Sequence, residues 1–233
     1  MINTFNLDKF KFIDLTHPVT ERTPHWQGTC SFKQVTIADY EDNPDKTSFK
    51  INEISMRAGI GTHMDAPAHC VPRGTSIADI ALPQLIRPCV MIDVSADRND
   101  HLLIRPETVF AHEKDWGDIP ANAFVVFYTG WEQFFYDPIR YRNDLVFPSI
   151  SESTAELLLR RNIAGLAIDT LSPDLPNTNF PVHRLLLGAG KYIVENIANA
   201  KLLSPRGDYI FALPIKIEDG TEAPVRAFAM QPL

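Results

Sequence analysis

The chain has 233 residues, of which 45% are hydrophobic and 22% are charged, the composition of a folded globular protein rather than of a disordered chain or a collagen. Its formal net charge of −7 argues against binding to nucleic acid, which requires a basic face. The three cysteines are an odd and sparse set that favours reduced thiols in the cytoplasm over a disulfide framework. The sequence has no apolar run near the ~20 residues of a membrane helix and no signal-peptide core at its N-terminus, and residues 1–233 are predicted to form one domain.

Short apolar runs bounded by Pro, Gly, Asn and Asp predict a series of β-strands. Two of these runs, 32–37 and 49–56, alternate apolar and polar residues, which is the pattern of a half-buried strand. Several others are continuously apolar and are typical of strands buried on both faces. In chain order, the predicted strands cover residues 12–15, 32–37, 49–56, 89–94, 123–128, 164–168 and 209–213.

The clearest helix is predicted over 154–161, where Ser153 and Glu156 have the spacing of a capping box and two arginines close the last turn. Further helices are predicted over 106–112, 182–187 and 195–203. Strands and helices that mix without strict βαβ repetition predict an α/β fold with a mixed sheet.

The stretch 61–69, Gly-Thr-His-Met-Asp-Ala-Pro-Ala-His, carries the residues best suited to chemistry. In an extended chain, residues two apart project from the same face, so His63 and Asp65 are predicted to point into one space. Pro67 is predicted to keep the backbone extended, which would place His69 further along the same side. Imidazoles and a carboxylate are a ligand set for Zn²⁺ or Mn²⁺, although the same string also arises by chance or as a surface His–Asp hydrogen bond.

A second group of candidate residues lies at 183–195. Pro181 favours a helix start that carries His183, and residues 192–194 predict a short strand leading into Glu195. A carboxylate after three apolar residues is expected to be partly buried, and it then needs a partner or a metal ion. The alternative is that Glu195 caps the helix predicted to follow it.

These segments resemble the metal-dependent cyclase family, which includes bacterial kynurenine formamidase and isatin hydrolase. The family signature is His-x-Gly-Thr-His-x-Asp-x-Pro-x-His, and residues 61–69 match its last nine positions at every fixed residue. The spacing from His183 to Glu195 also matches the family. Further segments similar to the family are 13–18, 23–28, 128–131, 169–172 and 223–227, so the resemblance covers nearly the whole chain.

The resemblance implies a swivelling β/β/α cyclase-like fold that assembles as a homodimer or homotetramer. It implies a formamidase-like hydrolase in which metal-activated water attacks the carbonyl of an amide or lactone. The implied substrate is an aromatic small molecule, such as the N-formylkynurenine-type aryl formamide of tryptophan catabolism or a cyclic amide. The implied cofactor is Zn²⁺ or Mn²⁺, with one or two ions per subunit.

Carried over residue by residue, the resemblance also implies a ligand set. His63 and Asp65 would hold the first metal. Asp65 and Glu195 would bridge to a second metal, which His183 also binds.

Two further residues are assigned by the resemblance: His69 would donate and accept protons, and Trp26 would face the substrate ring. The chain departs from the signature at Gly59, where the family has its first His, so the first metal loses a ligand. Two alternatives therefore stay open beside the hydrolase. One is a family member with an altered reaction, such as lactone hydrolysis, dehydration or cyclisation, and the other is a non-enzymatic ligand-binding protein on the same fold.

Overall fold

The computed structural model describes residues 6–42 and 49–233, so residues 1–5, at the N-terminus where the sequence predicts no signal peptide, lie outside the described residues. The strands are β1 (Phe10–Asp14), β2 (Lys33–Ala38), β3 (Ile51–Ser55), β4 (His63–Asp65), β5 (Ile86–Asp93), β6 (Leu103–Ile104), β7 (Phe124–Tyr128), β8 (Ser149–Ile150), β9 (Gly165–Ile168), β10 (Tyr192–Glu195), β11 (Arg206–Pro214) and β12 (Glu222–Pro232). The α-helices are α1 (Pro106–Trp116), α2 (Pro138–Arg142), α3 (Glu152–Arg160) and α4 (Pro181–Gly188). Among the described residues, no helix is both long enough and apolar enough to cross a membrane.

Eight of the strands form one mixed sheet in the order β1-β12-β11-β5-β7-β9-β10-β4. Strands β5, β7, β9 and β10 run parallel to their neighbours within this group, and the other pairs are antiparallel. Strand β12 also pairs with β4 at the far end of the order, so the sheet closes on itself. The predicted α/β fold with a mixed sheet is confirmed.

The sheet separates two hydrophobic cores. On β7, Phe124 and Val126 belong to one core, while Val125 and Phe127 belong to the core under helices α1, α3 and α4. All four side chains are fully buried. Because successive residues of a strand point to opposite faces, a continuously apolar run is what a strand covered on both faces requires.

Helix α3 begins before the predicted position. The Ser151 hydroxyl accepts a hydrogen bond from the Thr154 backbone N–H at 3.2 Å, so Ser151 is the N-cap. Ser153 is exposed within the first turn, and the predicted capping box with Glu156 is wrong. The start is set by tertiary structure, since strand β8 ends at Ile150 and leaves Ser151 buried at the turn.

Of the other three predicted helices, two are present and one is not. Helices α1 and α4 are present with slightly longer bounds, but the helix predicted over 195–203 is wrong. Glu195 ends β10, and Asn196 and Asn199 have left-handed φ values of +56° and +55°. Asparagine tolerates this conformation, which stops helix propagation and leaves only the 3₁₀ turn Ala200–Leu202. Glu195 therefore does not cap a helix.

Strands β2 and β3 confirm two predicted strands and form an antiparallel pair separate from the main sheet. Every residue of β3 is exposed, and the exposed apolar side chains of the pair include Val35, Ile37, Ile51 and Ile54. The expected buried face is wrong for a single chain, because within the described residues no other element covers this pair.

Candidate metal centre

Strand β4 lies between β10 and β12, and β4 and β10 together carry three of the candidate residues. His63 lies opposite Glu195 of β10. Asp65 lies opposite Glu222 of β12. Because His63 and Asp65 are two residues apart on an extended strand, their side chains share a face, as the sequence predicted. His63, Asp65 and Glu195 are all buried.

His69 reaches the same cavity by a different route from the predicted one. Pro67 does not continue the strand but opens the 3₁₀ turn Pro67–His69, since proline suits the first position of a helical turn. The backbone N–H of His69 donates to the carbonyl of Ala66 at 2.9 Å and closes this turn. The predicted extended path is therefore wrong, and His69 lies at the exposed rim of the site.

Two imidazoles and two carboxylates form the buried cluster. His63 Nε2 lies 3.6 Å from Asp65 Oδ1 and 3.4 Å from Glu195 Oε2. His183 Nε2 lies 3.4 Å from Asp65 Oδ2 and 3.3 Å from Glu195 Oε1. Each carboxylate thus presents one oxygen to each imidazole. Ligand atoms around a tetrahedral ion with bonds of ~2.0–2.1 Å are spaced by a similar ~3.3 Å.

Hydrogen bonds at the outer ring nitrogens set the orientation of both imidazoles. His63 Nδ1 lies 2.9 Å from the Gly61 carbonyl oxygen, and His183 Nδ1 lies 2.8 Å from Asp174 Oδ2. Asp174 also accepts the backbone N–H groups of Val182 and His183. In a neutral imidazole, a donating Nδ1–H leaves the Nε2 lone pair free toward the carboxylates. The sequence reasoning missed Asp174.

The charges in the cluster shift the pKa values in opposite directions. Burial alone would lower the pKa of His63, but the charges of Asp65 and Glu195 outweigh it and hold that pKa above its usual value. For His183, burial is likewise outweighed by hydrogen bonds to Asp174 and Asp65, and its pKa is well above the usual value. Burial raises the pKa of Glu195, and the charge of Asp65 raises it further. For Asp65, burial is overcome by His183 and His63, and the pKa is lowered.

Two buried carboxylate oxygens have only poorly placed neighbours among residues 6–42 and 49–233. Asp65 Oδ1 and Glu195 Oε1 make no well-formed hydrogen bond there, and the Nε2 atoms of His63 and His183 lie 3.6 Å and 3.3 Å from them, respectively. Burying such an oxygen without a partner is unfavourable, and a cation between the carboxylates removes that penalty. Nitrogen and oxygen donors in this number suit Zn²⁺ or Mn²⁺. The residues present therefore fit the metal that the resemblance implies.

A cavity of about 510 Å³ opens onto the cluster. Trp26 and Phe180 lie on its wall, with ring centroids 5.9 Å apart. Phe180 has a φ of +51°, an unfavourable value for a bulky residue, and it directly precedes α4. The sequence reasoning missed Phe180 because nothing in its local pattern marks this conformation. The cavity is also lined by His25, Arg57, Gly59, His69, Arg184 and Glu222.

A closed mixed sheet that carries one imidazole and two carboxylates, joined by a second imidazole from α4 at the base of an open cavity, has the architecture of a metal-dependent hydrolase. The chain belongs to the putative cyclase family, whose model matches residues 13–175. It is 29% identical to a kynurenine formamidase from Salinibacter ruber, over 92% of this chain and 95% of that protein.

Solved structures agree with this assignment. Isatin hydrolase A from Labrenzia aggregata, bound to benzyl benzoate, is 31% identical and superposes with a TM-score of 0.86, covering 97% of this chain and 95% of that one. A potential metal-dependent hydrolase with cyclase activity is 27% identical, with a TM-score of 0.76 and coverage of 96% and 99%. The family and the cyclase-like fold predicted from the sequence are confirmed.

Proposed function

We propose that this protein is a metal-dependent hydrolase of C–N bonds that cleaves an amide next to an aromatic ring, either an aryl formamide or a cyclic amide. The observation that carries the proposal is the buried His–carboxylate cluster at the base of an aromatic-walled cavity. The similarity to a kynurenine formamidase and to isatin hydrolase A supports the choice of amide bonds.

One or two ions would be held by His63, Asp65, His183 and Glu195. When bound, Zn²⁺ or Mn²⁺ would supply polarisation of a carbonyl oxygen and a lowered pKa of water, which would make water a nucleophile near neutral pH. The chain supplies the orientation, because the hydrogen bonds at both Nδ1 atoms hold the Nε2 atoms toward the carboxylates before any ion arrives.

His69 is proposed as the group that moves protons. Its ring centroid lies 6.1 Å from that of His183, so it faces the cavity without joining the buried cluster. An amide nitrogen is a poor leaving group as an anion, and a proton must reach it as the C–N bond breaks. An imidazole at the rim can both accept and donate a proton, which this step requires.

The residues of the cavity wall favour an aromatic substrate whose hydrolysis yields a carboxylate. Trp26 and Phe180 offer ring surfaces for stacking or edge contacts. Arg57 and Arg184 lie at the same cavity and carry positive charge. Hydrolysis of a cyclic amide generates a carboxylate, and an arginine is a strong partner for one.

The two alternatives raised by Gly59 are less well supported. A non-enzymatic binding protein would have no need for buried, preoriented imidazoles with unpartnered carboxylate oxygens. An altered reaction, such as lactone hydrolysis, uses the same carbonyl chemistry, so lactones belong in the same substrate panel.

Self-association is part of the proposal. A two-stranded sheet is marginally stable by itself, and the β2–β3 pair exposes apolar side chains in series. A second copy of the chain covering this pair would bury them. The mass in solution tests this point, and a purely monomeric protein contradicts it.

The test of the function compares metal-free protein with protein reloaded with Zn²⁺ or Mn²⁺, on a panel of N-formyl anilines, cyclic aryl amides and aryl lactones. We expect turnover of at least one amide by the reloaded protein and loss of turnover after chelation. Full activity of the metal-free protein, or no turnover of any panel member with either metal, refutes the proposal.

A further inference from the structure

Glu222 adds a third carboxylate to the cluster. It lies directly opposite Asp65 on the β4–β12 pair, and both side chains contribute to the same cavity. Like charges directly opposite each other destabilise an antiparallel pair. A divalent cation between the two carboxylates turns this repulsion into attraction.

The space beside Asp65 and Glu222 has the size of a cation site. One donor atom each from Asp65, Glu222 and His69 lie within 4.8 Å of one another. The distance from His69 Nδ1 to Glu222 Oε2 is 3.8 Å, which is too long for a hydrogen bond. The Glu222 carboxylate is therefore directed at the cluster without a hydrogen bond to this imidazole that would explain its position.

The glycine at position 59 makes room for this carboxylate. The three heavy atoms nearest to a Cβ placed on Gly59 all belong to Glu222: that Cβ would overlap Oε2 and lie 3.0 Å from Cδ and 3.3 Å from Oε1. Gly59 does not have a positive φ, so its backbone conformation does not require a glycine. Any side chain at 59 would displace the Glu222 carboxylate from the cluster.

We propose that Glu222 and Asp65 share a divalent cation beside position 59, which is the second ion to bind at the centre and the weaker of the two, and that Gly59 is the residue that admits the Glu222 carboxylate. The proposal rests on the proposed metal-dependent function, because it adds a ligand to the same centre. It depends on the two carboxylates, while His69 keeps its proposed role in proton transfer. A carboxylate from β12 thus occupies the space that a side chain at position 59 would fill.

The test measures Mn²⁺ binding to the full chain after chelator treatment, with metal content from elemental analysis and the spin state from electron paramagnetic resonance. We expect the wild type to bind a second ion and to give the exchange-coupled signal of two ions that share a carboxylate. Glu222→Gln should raise the dissociation constant of the weaker ion at least about tenfold and remove the coupled signal. Glu218→Gln, at an exposed residue on the connection that precedes β12, is the matched control and should bind as the wild type does.

The glycine gives a second, independent route to the same result. Gly59→Ala should displace the Glu222 carboxylate and weaken the second ion as Glu222→Gln does, with the melting temperature of the metal-free protein unchanged. In Gly59→His/Glu222→Ala an imidazole takes the vacated space, and the second ion should return.

The proposal is overturned if Glu222→Gln binds the second ion with less than a tenfold loss, or if the wild type takes up a single ion. This result is distinct from failure of the proposed function. A wild type that hydrolyses an amide with one bound ion refutes the Glu222 site alone, whereas a fully loaded protein without any turnover refutes the hydrolase.

Discussion

Asp65 connects every part of the candidate centre. Its two oxygens face His63 and His183, and its strand neighbour across the β4–β12 pair is Glu222. The imidazoles overcome the effect of burial and lower its pKa, whereas the pKa of Glu195 is raised by burial and by Asp65. A bound cation would therefore favour the ionised form of Glu195.

For Glu195→Gln we expect loss of metal without loss of fold. An amide cannot neutralise a cation, so metal content should fall at least about tenfold. The metal-free protein should keep its melting temperature, since burial already disfavours the charge that is removed. Elemental analysis and thermal unfolding measure both effects, with Glu218→Gln as the control. Equal metal content in the variant and the wild type contradicts the assignment of Glu195.

For His69→Ala, in contrast to Glu195→Gln, we expect the protein to retain its metal and to lose turnover. A missing proton carrier at the rim should lower kcat by about two orders of magnitude. Steady-state rates across pH, together with metal content, test this. Full turnover at every pH shows that His69 does not move the proton, and loss of metal shows that it is a ligand instead.

The sequence predicts the cluster residues that depend on local geometry and misses those that depend on pairing. His63 and Asp65 follow from the two-residue period of a strand. Asp174 binds the start of α4 from a loop, and Glu222 reaches the site only because β12 pairs with β4. No spacing rule along the chain relates either residue to its partners.

At the level of single elements, the N-cap of α3 shows that tertiary contacts, rather than the local sequence pattern, set where this helix begins. Ser151 caps the helix, while Ser153 has the right spacing for a capping box but is exposed. Ser151→Ala should lower the free energy of unfolding by about 1 kcal/mol, and Ser153→Ala should lower it by less than about half of that. Urea unfolding of both variants measures the difference. A larger loss of unfolding free energy for Ser153→Ala than for Ser151→Ala would support the predicted capping box instead.

The contrast between local pattern and long-range contacts also explains which strands and helices could be predicted from the sequence. The run 123–128 has a strand pattern that burial on both faces enforces, and the structure has a strand there. The run 195–203 has a helical composition, but Asn196 and Asn199 bond to carbonyl oxygens of Gly61 and Asp14. These long-range hydrogen bonds hold the left-handed conformations that exclude a helix, and sequence proximity does not reveal them.

At the scale of the whole molecule, the closure of the sheet brings distant segments into one unit. His17 is part of this closure: its backbone N–H donates to the Thr62 hydroxyl at 3.0 Å, and its ring stacks on Phe135 with centroids 3.6 Å apart. Burial lowers the pKa of His17 to about 4. The ring is thus held neutral in the fold across a range where an unfolded chain protonates it.

The pH dependence of stability follows from that difference. Between pH 6.5 and about 4 the unfolded chain binds more protons at His17 than the folded protein does, so the free energy of unfolding falls as the pH falls. The loss over this window should be about 3 kcal/mol. His17→Phe keeps the stacked ring and removes the titrating group. Between pH 6.5 and 4, the free energy of unfolding of this variant should therefore fall by about 3 kcal/mol less than that of the wild type. Urea unfolding of the metal-free proteins tests this, with His101→Phe at an exposed histidine as the matched control. Parallel curves for His17→Phe and the wild type would show that folding does not lower the pKa of His17.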